Sequence, residues 1–148
     1  MSQVQIKKIV LPIDGSDSSF QAARYAARLA KLDGAEISCI HVIEIPTYGL
    51  YGNFAATVPT YYDEITKTAE KWFDQVRDLV RNEGTKVNAE TIMNATSVPD
   101  SIVNHAVKIG ADVIVMGTRG RTGVKKFLLG SVASAVVSHA HCPVLVVR

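Results

Sequence analysis

Asp112-Val-Ile-Val-Met116, then Gly117-Thr-Arg-Gly120, nine further residues, and Gly130-Ser131: this stretch decides the fold. It opens as an apolar run of strand type. It passes through a glycine-rich loop and enters a helix-forming run from Ser131 to Ala140. Strand, glycine loop and helix start is an arrangement in which backbone can wrap an anion. Glycine lets the chain come close and adopt positive φ. A helix N-terminus adds free N–H groups and the positive end of its dipole. The spacing is not that of a P-loop, since no Gly-Lys-Ser/Thr tail follows. Nor does the third glycine fall where a dinucleotide fingerprint needs it.

Working outward, strand and helix signals alternate along the chain. Lys7–Ile13 reads as a buried strand. Ser18 with Gln21 reads as a capping box that opens a helix, and Phe20, Ala23, Ala26, Ala27 and Ala30 share one face. Gly34 ends it. A second strand is expected over Glu36–Ile43. Residues 45–60 hold Gly, Pro and Tyr without a period and read as a loop, either a bare tip or a lid or partner surface. A long helix is expected from about Tyr61 to Asn82, with Trp72 and Phe73 in its core stripe and Gly84 closing it. Val87–Asn94 reads as a strand with one wetter face. Ser97 and Pro99 open a third helix. Pro143 sets off a last strand, Val144–Arg148. This alternation implies one α/β domain over residues 1–148, a parallel sheet with helices on both faces. Ligands of such sheets sit at the carboxyl ends of the strands, where the strand order reverses.

Bulk properties narrow the function. A chain of 148 residues, 47% of them apolar, can build a core without staples. No apolar run reaches the ~20 residues of a membrane helix, and the start lacks signal-peptide character. Two cysteines, Cys39 and Cys142, support no disulfide framework and suit a reducing, cytoplasmic setting. Charge is uneven. After Asp112 there are five cations and no Asp or Glu, against eleven cations and fourteen anions before. Four of the five, Arg119, Arg121, Lys125 and Lys126, lie inside the glycine loop, where they favour an anionic ligand. The mildly acidic remainder argues against extended nucleic-acid binding. His139, His141 and Cys142 are of metal-ligand type, but no second pair is placed to close a site. A helix end followed by Cys-Pro accounts for them.

The glycine pattern meets a second feature, the strand end Leu11-Pro12-Ile13-Asp14-Gly15-Ser16. Together with Ala111–Gly117 and the closing Cys142–Val147, these residues resemble the universal stress protein family in its nucleotide-binding branch. The resemblance runs through nearly the whole chain. It implies a Rossmann-like, doubly wound five-stranded parallel sheet in the order 3-2-1-4-5, with ATP between strands one and four. It also implies a homodimer through the last strands. Carried over, it places Pro12, Ile13 and Asp14 along the adenosine, and Val42 with its backbone to the adenine. Met116 and Gly117 would lie under the ribose; Gly120, Arg121, Gly130, Ser131 and Val132 would surround the phosphates. ADP or AMP would share the adenosine contacts, and a Mg²⁺ would bridge phosphate oxygens, since this ion keeps waters and takes few protein ligands.

No nucleophile, general base or water-positioning residue is evident. This favours binding over fast hydrolysis, and the resemblance implies an ATP-binding stress-response module whose nucleotide state alters a dimer or an unidentified protein partner. Two alternatives stay open: a weak ATPase or self-phosphorylating protein, and a dimeric interaction protein that uses no nucleotide. Asp14-Gly-Ser-Asp-Ser-Ser19 faintly resembles the loop of ATP pyrophosphatases but lacks the paired glycines.

Overall fold

A computed structural model describes residues 2–45, 58–118 and 128–148. The elements run β1 (Lys8–Pro12), α1 (Asp17–Asp33), β2 (Glu36–Glu44), α2 (Val58–Leu79), β3 (Val87–Ala95), α3 (Val98–Ile109), β4 (Val113–Gly117), α4 (Ser131–His139) and β5 (Val144–Val147). The five strands form one sheet in the order β3-β2-β1-β4-β5, with parallel pairing throughout. The expected order 3-2-1-4-5 is therefore observed.

Alternation along β1 divides the core into two layers, because successive side chains of a strand point to opposite faces. Ile9 and Leu11 join Ile37, Cys39, Val113 and Val115 under α1 and α2, whose Ala22, Ala26, Ala69, Phe73 and Val76 are buried there. Val10 faces the other way. It joins Ile40, Ile114 and Met116 beneath Ile102, Val103 and Ala106 of α3 and Ala133 and Val136 of α4. β3 stands at one edge with Asn88 and Glu90 exposed, in keeping with a wetter strand.

Helix ends follow local chemistry, with one revision. The cap of α1 is Ser16, not Ser18. Ser16 is extended, and its Oγ accepts the Ser19 N–H at 3.2 Å. Ser18 already lies in the first turn, so a box with Gln21 would start the helix too late. Gly34 ends α1 in the left-handed region at φ 69°, where a Cβ would be strained. Ser97 caps α3 by accepting the Asp100 N–H at 3.3 Å, and Gly110 ends it at φ 66°. α2 opens at Val58, earlier than its apolar stripe marks. Most of the 45–60 segment, residues 46–57, lies outside the described residues.

Candidate functional site

The sheet has a notch at the end of β1. The last β1–β2 pair is Pro12 with Ile40, yet β2 continues to Glu44. The last β1–β4 pair is Val10 with Ile114, yet β4 continues to Gly117. Both neighbours thus overrun β1, at the point where strand order reverses.

Pro12 explains the side facing β4. In a parallel ladder a residue directs its N–H and C=O to the same neighbour, and successive residues alternate. The Ile13 N–H donates to the Ile40 C=O at 2.8 Å, so Ile13 faces β2. The Lys8 C=O accepts the Asp112 N–H at 2.9 Å, so Lys8, and with it Val10 and Pro12, face β4. Proline has no N–H to give, and the β1–β4 ladder stops there.

The chain then turns sharply through Asp14-Gly15-Ser16. Asp14 is half-buried, and its Oδ1 accepts the Ser16 N–H at 2.9 Å, an Asx turn that delivers Ser16 to its capping position. Gly15 holds φ 82°, and a Cβ built on it would fall inside the Trp72 indole. His41 of β2 reaches back to the turn. Its Nδ1 lies 2.8 Å from the Ile13 carbonyl oxygen. A carbonyl only accepts, so Nδ1 carries the proton.

Across the notch, β4 ends at Gly117. A Cβ there would meet Ser18 Oγ, the Ser18 carbonyl carbon at 2.8 Å and the Ser19 nitrogen at 2.9 Å. Glycine at 117 is thus required by the first turn of α1, a packing reason separate from any ligand. Next, Thr118 ties three elements together. Its N–H donates to the Val147 C=O at 2.8 Å, and its C=O accepts the Gly130 N–H at 2.7 Å. This second bond closes the glycine loop at its base. Gly130 is the N-cap of α4 and brings no capping side chain. Its own N–H is taken by Thr118, so the amides that no carbonyl of the helix itself can take are those of Ser131, Val132 and Ala133. The Thr118 hydroxyl is buried and has no hydrogen-bond partner among the described residues.

The residues expected at the site are distributed as follows. Pro12, Asp14 and Gly117 stand at the notch, whereas Ile13 is 2% exposed in the α1/α2 layer and has its N–H paired with Ile40 and its C=O with His41. Met116 is 4% exposed and packs with α3 and α4, so only its backbone is available from this face. Val42 lies within β2, beyond the last β1 pair, and is half-buried on the same side. Ser131 is exposed and Val132 half-buried at the start of α4. Gly120 and Arg121, like Arg119, Lys125 and Lys126, lie outside the described residues. His139 Nδ1 sits 2.8 Å from the Ala135 carbonyl of its own helix, and His141 is exposed.

Sequence reasoning missed two clusters. One is the Trp72–His41 pair, whose rings meet edge-on at 5.1 Å. The other is His105 of α3, which is buried; its Nε2 lies 2.8 Å from Ser38 Oγ and its Nδ1 3.4 Å from Glu90 Oε1. Burial pulls its pKa below the usual histidine range, more than Glu90 raises it, and Lys108 pulls the same way as burial. No local signal marks either cluster, because each joins residues far apart in the chain. Both cysteines are free. Burial pushes the Cys39 thiol up to about 12. Cys142 is raised by burial and then by Asp112, against a backbone hydrogen bond from Ile114.

An open parallel α/β sheet whose strand order reverses beside β1 is of the doubly wound class. The family model for the universal stress protein family matches residues 5–148, and the chain belongs to that family. A universal stress protein of Methanocaldococcus jannaschii is 38% identical over 143 residues, which cover 96% of this chain and 82% of that one. The universal stress protein from Archaeoglobus fulgidus in complex with dAMP has a TM-score of 0.67 at 24% identity, covering 99% of this chain and 100% of that chain. A universal stress protein in complex with cAMP has a TM-score of 0.68 at 23% identity, with 98% of each chain covered. At those identities the two structures establish likeness of fold.

Proposed function

We propose that the notch binds an adenine nucleotide, with ATP as the principal ligand and ADP or AMP sharing its adenosine contacts. The observation that carries this reading is the pairing of the β1 notch with an uncapped α4 start. One end brings Pro12 and the Asp14 turn to a nucleoside; the other, with no capping side chain at Gly130, brings first-turn N–H groups to phosphates. Structural neighbours that carry dAMP and cAMP support the choice of ligand class. In this reading Pro12, Ile13, Asp14 and Val42 flank the nucleoside, and Met116 and Gly117 lie under the ribose. Gly120, Arg121, Gly130, Ser131 and Val132 surround the phosphates, with Gly130 contributing position and not its amide.

A hydrogen bond to a charged group contributes about 1.5–3 kcal/mol. A few of them reach the roughly −8 kcal/mol of micromolar binding. Among the described residues no group of three or more His, Cys, Asp or Glu gathers to hold a metal. In this reading a Mg²⁺ would be held through the phosphates, since this ion keeps waters and takes few protein ligands.

The role that follows is a nucleotide-responsive, cytoplasmic stress-response module. β5 is the edge strand beside β4, and an open edge favours pairing with a second copy. Thr118 touches both β5 and the base of the glycine loop, so occupancy and the state of that edge share a backbone link. Calorimetric titration of nucleotide-stripped protein with Mg·ATP tests the reading. Saturation near one ATP per chain is expected; no heat of binding up to millimolar ATP would reject it. Phosphate release above a protein-free control would instead favour a slow ATPase.

A further inference from the structure

The turn that carries Asp14 packs against a side chain of α2. Trp72 of α2 fills the space where a side chain at position 15 would stand. The same indole meets the His41 ring edge-on, at 5.1 Å and 88°. His41 in turn holds the Ile13 carbonyl. Both residues flanking Asp14 are therefore braced by one side chain, Gly15 directly and Ile13 through His41. Trp72 is half-buried, packed against the α1/α2 layer beside the fully buried Phe73. Its neighbour Phe73 serves the core, whereas Trp72 reaches past it to the turn.

Gly15 needs this restraint. With no Cβ it adopts positive and negative φ with similar ease, so the backbone does not fix the turn by itself. The Asx hydrogen bond from Ser16 to Asp14 closes the turn around Gly15 from within, and the indole adds a restraint from a second element. A large planar ring against the glycine restricts that path at little entropic cost, having two side-chain torsions of its own.

We infer that Trp72 is a positioning residue for the nucleotide site, holding the β1–α1 turn and with it Asp14 in the binding geometry. This rests on the nucleotide reading above. It extends the site to α2 and makes the sole tryptophan of the chain a reporter of occupancy.

The test compares the wild-type chain with Trp72→Leu, Trp72→Phe and Phe73→Leu. Calorimetry gives the Kd for Mg·ATP and for AMP at a temperature where all four are folded, and tryptophan emission is followed in the same titration. Emission of the wild type is expected to change with the calorimetric midpoint. Trp72→Leu is expected to weaken both nucleotides roughly tenfold, as for loss of one charge-assisted hydrogen bond. Trp72→Phe should recover part of that loss, and Phe73→Leu should lower stability while keeping the wild-type Kd. An unchanged Kd in Trp72→Leu, or emission blind to saturating nucleotide, overturns the inference while leaving the nucleotide reading intact. A wild-type chain that binds neither nucleotide overturns both.

Discussion

Replacing Gly117 by alanine separates two reasons for one glycine. If position 117 is glycine only so that a ligand can approach, Gly117→Ala should fold normally and bind poorly. The structure predicts a different outcome. The added Cβ would meet the carbonyl carbon of Ser18 at 2.8 Å and the nitrogen of Ser19 at 2.9 Å. These are backbone atoms of the first turn of α1 and cannot swing aside as a side-chain tip does. Overpacking of this kind costs about 1–3 kcal/mol, and backbone obstruction places it near the top of that range. For a chain of this size, 3 kcal/mol corresponds to a fall in Tm of about 6–12 °C. Gly34→Ala is the control. Nothing lies within 4 Å of its Cβ, and only its φ of 69° objects, so the cost is about 1–2 kcal/mol. Urea unfolding of both variants without nucleotide, with m compared, reads the difference directly. A Gly117→Ala chain within about 0.5 kcal/mol of wild type, the usual spread of an innocuous surface change, would refute the packing argument.

Further outcomes follow from the same contacts. Thr118→Val removes a buried hydroxyl without a partner among the described residues. Ligand-free stability should hold or rise by up to about 2 kcal/mol, and a clear loss in thermal unfolding would reveal a partner for that hydroxyl. His105 has a folded pKa below its ordinary value of 6.5. The unfolded chain therefore binds the extra proton first, so stability is level above that value and falls as pH drops beneath it. The urea midpoint should fall more between pH 7 and pH 5 for wild type than for His105→Gln; parallel profiles would refute this. Cys39 is fully buried with its thiol held at about 12, whereas Cys142 is half-buried. A disulfide reagent should modify Cys142 slowly in the native chain and Cys39 only after unfolding, with mass spectrometry assigning the sites.

Much of the sheet was legible because its signals are local. Alternating apolar runs, Gly34, Ser97 and Pro99 mark elements within a few residues of themselves. The strand order came with the family resemblance, since nothing in spacing alone says that β1 lies between β2 and β4. Ends of elements were less legible. Asp14-Gly-Ser-Asp-Ser-Ser19 offers several serines as caps, and the choice of Ser16 depends on where the Asx turn delivers the chain. Of the candidate site, the local runs were legible and the long-range contacts were not. Its strand-end and helix-start residues stand in recognisable runs. Trp72 looked like one more member of an apolar stripe, and only the fold brings it to Gly15, on another element far away in the chain. His105 was invisible for the same reason, as its partners are on β2 and β3.

Pro12 has a consequence beyond ending a ladder. The gap between β1 and β4 is written into the covalent chain, as a missing donor, and does not depend on side chains moving apart. In the proposed reading, a ligand entering there would break no backbone hydrogen bond between the two strands beyond the Val10–Ile114 pair. Little of its binding energy is then spent on opening the sheet, and association need not wait for a rare open state. A residue able to donate at position 12 would let the two strands zip one rung further. The chain would trade its cleft for a slightly better sheet.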